Sequence, residues 1–168
     1  FFEEETARYR LMAKEKNITL LTNTDINSGN VVFDKDALEK ICGNLAGNAI
    51  KYTPVSGTVG IEAVATRYAD DTLLTIRVWD TGPGIPKEEQ QLVFDRFYRR
   101  KEHEVSGTKG IGIGLSLVKD LVGLMNGTIE VESGPGKGTV FTITIKLKSK
   151  PAAGNPEIQA SANGYTLL

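Results

Sequence analysis

Apolar residues recur at helical spacing in some stretches of the chain and at every second position in others, and the two periods divide it into elements. Phe2 to Lys16 has helical character, with Asn17 placed to end it. A second helix is expected from Lys35 to Lys51, with Leu38, Ile41, Cys42, Leu45 and Ala49 on one face and Asp34 as its N-cap. A third runs from Gly112 to Met125, with Leu115, Val118, Val122 and Met125 aligned and Asn126-Gly127 stopping it. Lys87 to Phe97 reads as a short helix. Strands are expected at Ile18–Thr22, Val31–Phe33, Thr58–Tyr68, Thr72–Trp79, Thr128–Glu132 and Thr139–Leu147. The last alternates cleanly, Phe141, Ile143, Ile145 and Leu147 against Thr142, Thr144 and Lys146. Asn27 to Asn30 and Asp70-Asp71 supply turns.

The strands carry apolar residues on one side only. That pattern predicts a two-layer α/β sandwich, with helices on one face of a mixed, mostly antiparallel sheet. A doubly wound dinucleotide fold is disfavoured, because neither glycine-rich loop sits in a strand-loop-helix unit with an acid about twenty residues later. Arg99 to Lys109 is dense in charge and has no apolar stripe, the composition of a mobile loop. After Lys150 the chain turns to Ala, Gly, Pro, Asn and Ser without a pattern. Residues 1–150 therefore read as one domain and 151–168 as a flexible linker or tail.

Composition narrows the chemistry. The chain has 168 residues, 40% hydrophobic and 24% charged, with a formal net charge of −1. Nothing in that balance favours nucleic acid as a partner. A single cysteine, Cys42, excludes an internal disulfide and a cysteine-based zinc site, and its place in an apolar pattern suits a buried filler. The chain starts without methionine in helix-like sequence, as a piece of a longer protein would.

Three segments bear candidate chemistry. Trp79-Asp80-Thr81-Gly82-Pro83-Gly84-Ile85 delivers an aspartate from a strand into a glycine loop. By itself Asp80 could cap a turn or accept from a base edge. Gly110-Ile111-Gly112-Ile113-Gly114-Leu115 opens into a helix, so its amides would face an anion. At about 100° per residue, Asn44, Asn48 and Lys51 fall on one stripe of their helix. Such a stripe is either a solvated face or a set of ligands for Mg²⁺ and phosphate. Asparagine is a poor helix former, which weighs toward ligands.

Together these segments resemble the catalytic, ATP-binding domain of sensor histidine kinases, in the superfamily that includes gyrase, a heat-shock chaperone and mismatch-repair ATPases. Asn44 to Pro54 is similar to the asparagine box and Asp80 to Ile85 to the first glycine box. Val93 to Arg99 is similar to the phenylalanine box, Gly110 to Leu115 to the second glycine box, and Gly134 to Thr139 to the last glycine turn. The second glycine box has Ile111 where a hydroxyl residue is frequent, which removes one possible contact and leaves the glycines.

The resemblance implies a Bergerat-type fold that binds ATP and Mg²⁺. It assigns Asp80 to the adenine amino group, Gly82 and Gly84 to passage of the base, and Tyr52 and Ile85 to its walls. Asn48 and Asn44 would hold Mg²⁺, Lys51 and Arg99 would meet phosphate, and Gly110, Gly112, Gly114 and Leu115 would form the phosphate cradle. Asn44, Lys51 and Arg99 are its catalytic candidates. Phe94 and Phe97 would pack under a lid spanning Arg99 to Lys109. Asn44 stands where hydrolytic relatives carry a glutamate base, so poor hydrolysis is expected. His103, the sole histidine, lies in the lid, and the phosphoacceptor histidine would belong to a separate dimerisation hairpin. The implied parent is a membrane-anchored homodimer, with this domain in the cytoplasm and a response regulator receiver domain downstream. The alternatives are a nucleotide-binding regulatory module and an ATP-driven conformational clamp.

Overall fold

A computed structural model describes residues 1–26, 31–68, 71–99, 111–149 and 165–167. The elements run α1 (Phe2–Glu15), β1 (Thr19–Asp25), β2 (Val31–Asp34), α2 (Lys35–Tyr52), β3 (Thr58–Tyr68) and β4 (Asp71–Asp80). They continue with α3 (Gly114–Leu124), β5 (Thr128–Ser133), β6 (Thr139–Ser149) and β7 (Tyr165–Leu167). Among the described residues the strands form one seven-stranded sheet in the order β1-β3-β4-β6-β2-β7, with β5 also paired to β6. Only β1–β3 is parallel; every other pairing is antiparallel.

The alternation in the strands decides which face is buried. Leu74, Ile76 and Val78 of β4 and Phe141, Ile143, Ile145 and Leu147 of β6 are buried, whereas Leu73, Arg77 and Lys146 between them are exposed. The buried side chains join Leu38, Ile41 and Leu45 of α2 and Val118 and Val122 of α3 in a single core. Each such Leu, Ile or Val contributes about 1.5–3 kcal/mol on burial. The opposite face carries Arg77–Glu62 (3.6 Å) and Lys146–Asp71 (2.7 Å) ion pairs beside the exposed Leu73. This is the expected two-layer arrangement.

The helix ends follow their sequence signals. Asp34 accepts from the Ala37 amide at 2.9 Å and caps α2. Asn17 and Asn126 adopt left-handed φ values of 54° and 52° just beyond α1 and α3, a conformation asparagine tolerates.

Two expectations are corrected, and one strand is additional. Lys87 to Phe97 is not a continuous helix but two 3-10 turns, Lys87–Glu89 and Leu92–Phe94. Between them Gln90 turns its amide back onto the Ile85 and Ser133 carbonyls (3.1 and 2.8 Å), a tertiary tie that outweighs helix propensity. Phe94 is buried and meets Phe141 edge-on at 6.1 Å, but Phe97 is 68% exposed with φ 67°, so it does not pack beneath anything described. Its amide instead donates to Gly112 O at 2.8 Å, joining the two ends of the 99–111 connection. Finally, Tyr165–Leu167, expected within a tail, pairs antiparallel with the Val32–Asp34 stretch of β2, whose edge offers unpaired backbone groups. The Asn27–Asn30 turn, Asp70, the lid from 100 to 109 with His103, and residues 151–164 lie outside the described residues.

Candidate nucleotide site

Strand register builds the floor of the site. Asp80 ends β4 directly opposite Thr139 of β6 and Val59 of β3, so the carboxylate emerges where the sheet gives way to loops. The chain then turns through Gly82, whose amide donates to Asp80 Oδ1 at 2.7 Å. Burial pushes the Asp80 carboxyl above the ordinary aspartate range, against the opposing pull of backbone hydrogen bonds from Gly82 and Thr139.

The first glycine loop is clamped to the last. Gly136 N–H donates to Pro83 O (2.8 Å), and Ile85 N–H to Ser133 Oγ (2.8 Å), which in turn donates to Gly138 O (2.6 Å). Gly84 has φ 74° and lies so close to the Gly134 carbonyl that a Cβ would overlap it. Only glycine satisfies both conditions.

The α2 stripe forms one wall. Asn44 donates its amide to Lys40 O (2.7 Å), one turn back. Its Oδ1 abuts the start of α3 so tightly that a Cβ at Gly114 would sit 2.5 Å from it. Lys51 Nζ lies 4.9 Å from the centre of the Tyr52 ring, and the C-terminal turn of α2 presents both.

These parts enclose a cavity of about 400 Å³. Asn44, Asn48, Lys51, Tyr52, Asp80, Gly84, Ile85, Arg99, Gly112, Gly114 and Leu115 all line it. Gly82 does not; it is buried behind Asp80 and orients that carboxylate. Gly110 lies outside the described residues. Thr139, Tyr98, Val93, Phe141, Ile111 and Ile113 also line the cavity, though the sequence reading gave them no site role. The pairing of Thr139 with Asp80 spans nearly sixty residues, so the last glycine turn marked Thr139 without showing that it faces Asp80. Tyr98 could have been found, since it lies between Phe97 and Arg99.

The cavity fits a nucleotide. Its carboxylate suits a base amino group, apolar Leu45, Ala49, Ile85 and Phe141 suit a base face, and amide oxygens with a lysine and an arginine suit a metal-bound polyphosphate. Among the described residues no cluster of three His, Cys, Asp or Glu could hold a metal instead.

Residues 33–149 match the family described as histidine kinase-, DNA gyrase B-, and HSP90-like ATPase. The chain is 34% identical over 139 residues to the sensor histidine kinase WalK of Bacillus subtilis, covering 83% of this chain and 22% of WalK. It is also 34% identical to the adaptive-response sensory kinase SasA of Rippkaea orientalis, covering 83% of this chain and 34% of SasA. It thus spans about a third or less of those relatives. Among solved structures it is similar to the mycobacterial sensor histidine kinase MprB, at 26% identity and TM-score 0.68, with 89% of this chain and 96% of that one covered. It is similar to full-length ShkA in complex with AMPPNP at 25% identity and TM-score 0.70, covering 89% of this chain and 30% of that one. The chain belongs to the histidine kinase-, DNA gyrase B- and HSP90-like ATPase family.

Proposed function

We propose that this chain is the ATP-binding catalytic domain of a sensor histidine kinase, donating the ATP γ-phosphate to a histidine on a separate dimerisation hairpin. The observation that carries the reading is the convergence of Asp80, the Asn44–Asn48–Lys51 stripe and the α3 N-terminus on one cavity. Asp80 accepts from the adenine amino group, and Tyr52 and Ile85 wall the base. The carbonyl oxygens of Asn48 and Asn44 would hold Mg²⁺, which would supply charge neutralisation on the phosphates. Lys51 and Arg99 add positive charge there, and the amides of Gly112 and Gly114 meet phosphate oxygens at a helix start.

In the transfer, the bond between the γ-phosphorus and the β–γ bridging oxygen breaks and a nitrogen–phosphorus bond to the imidazole forms. ADP leaves with the electron pair, and the imidazole gives up its proton. What the domain supplies is position and charge, which is most of what phosphoryl transfer needs. Asn44 has no proton-accepting group to activate water, which favours transfer over hydrolysis and over an ATP-driven clamp. By kinship with sensor kinases, the partners are the hairpin and a downstream receiver domain, in a membrane-anchored parent whose kinase domain is cytoplasmic. Among the described residues no helix is long and apolar enough to cross a membrane.

Calorimetric titration of the chain with ATP and with GTP, each with Mg²⁺, tests the site. Preference for ATP by an order of magnitude or more is expected, since guanine presents a carbonyl to Asp80 where adenine presents an amine. Equal affinities would refute the adenine-edge role.

A further inference from the structure

Lys16 sits just past the end of α1 and is not among the residues lining the cavity. Its ammonium donates to the carbonyls of Ile50 (2.9 Å), Lys51 (2.5 Å) and Thr53 (2.8 Å). An ammonium has three donors, and here three acceptors take them. The Ile50 and Lys51 carbonyls are among those that the last turn of a helix leaves without intrahelical partners, at the negative end of its dipole. Burial lowers the Lys16 pKa from the ordinary lysine value. The neighbouring backbone is stitched to the same place: Ser56 N–H donates to Asn17 O (2.8 Å) and Thr19 N–H to Gly57 O (2.9 Å).

What this junction holds is part of the cavity. Lys51 and Tyr52 line it, and the Tyr52 carbonyl packs on the first glycine loop so closely that a Cβ at Gly82 would lie 3.1 Å away. Gly82 in turn orients Asp80. α1 also meets α2 further back, through an Arg8–Glu39 ion pair at 3.6 Å. The end of α1 is thereby tied to α2 at the turn carrying Lys51.

We propose that Lys16 is a positioning residue of the nucleotide site: its ammonium fixes the 50–53 backbone so that Lys51 meets phosphate, and it couples α1 to nucleotide affinity. The proposal rests on the ATP-binding reading above. Lys16→Met keeps the stem and removes the donors. Titration with ATP and Mg²⁺, at a temperature where thermal melts show wild type and variant both folded, should give about tenfold weaker binding for Lys16→Met. Lys51→Met should also weaken binding, and the double variant should lose little more than Lys51→Met alone, because Lys16 acts through Lys51. Lys16→Gln, which keeps two donors, should fall between wild type and Lys16→Met, and it replaces Lys16→Met in the cycle if the latter does not fold. A lowered melting temperature with unchanged affinity, or fully additive losses in the double variant, would overturn the positioning role. Failure of wild type itself to bind ATP would instead overturn the functional reading on which it rests.

Discussion

Replacing Asp80 with asparagine separates binding from stability, because the same burial that suits a base amino group is costly for a carboxylate. In the wild type Oδ1 accepts from the Gly82 amide at 2.7 Å and the Thr139 amide also donates to the carboxylate, so the adenine amino group would meet its remaining lone pairs. Asparagine can keep the Gly82 bond through its carbonyl, but then its own NH₂ group faces the adenine NH₂. One charge-assisted hydrogen bond is lost and two donors are opposed, which should weaken ATP binding by about 1–3 kcal/mol, or roughly fivefold to 150-fold. Stability should move the other way. The folded-state pKa of Asp80 is raised, so the native state binds more protons than the unfolded state between the two pKa values. Wild-type stability thus falls as pH rises through that window, and the cost is absent below the unfolded aspartate pKa. Asp80→Asn should remove the cost, melting higher than wild type near neutral pH, with the gap closing toward low pH. Titration calorimetry gives the affinity and thermal melts across pH give the stability. Equal affinity for ATP, or a variant less stable than wild type at neutral pH, would refute this account of Asp80.

Other consequences follow from the same geometry. Asn48→Ala should reduce the gain in ATP affinity on adding Mg²⁺ far more than it reduces metal-free ADP binding, as calorimetry with and without EDTA would show; unchanged Mg²⁺ dependence would mean the stripe is only a polar face. Gly114→Ala places a methyl 2.5 Å from Asn44 Oδ1 and should displace that side chain, weakening Mg·ATP binding about fivefold or more while melts change by only about 1 kcal/mol. Phe97→Gly should leave stability unchanged or raise it by about 1 kcal/mol, because an exposed non-glycine residue at φ 67° gives up strain and little packing; a loss above that size in chemical denaturation would show that Phe97 does pack.

The residues of α2 and β4 show how much was legible in the chain. Helical period alone put Asn44, Asn48 and Lys51 on one edge, and alternation alone put Leu74, Ile76 and Val78 inward to deliver Asp80 at the strand end. Both are local repeats that a reader can count. The misses share a different cause. Gln90 breaks the expected helix by bonding to Ser133, Gly82 serves Asp80 rather than the cavity, and Thr139 reaches the site only through cross-strand register. Each depends on a partner distant in sequence or on a backbone direction, and neither is written in periodicity. Lys16 is the extreme case. It looks like an ordinary basic residue at a helix end, and its three acceptors lie more than thirty residues away. The strand at Tyr165–Leu167 escaped for the same reason, since three residues carry no period and the pairing edge belongs to β2.

Phosphoryl transfer to a hairpin supplied in trans tests the central claim most directly. The chain is incubated with γ-labelled ATP and Mg²⁺, alone and with a separately produced dimerisation hairpin from its own parent. The domain by itself should stay unlabelled and release little free phosphate, because Asn44 cannot activate water. With the hairpin present, label should appear on the hairpin as acid-labile phosphate, and Asn48→Ala should abolish it. Stable label on the domain itself, or rapid phosphate release without the hairpin, would contradict the donor role.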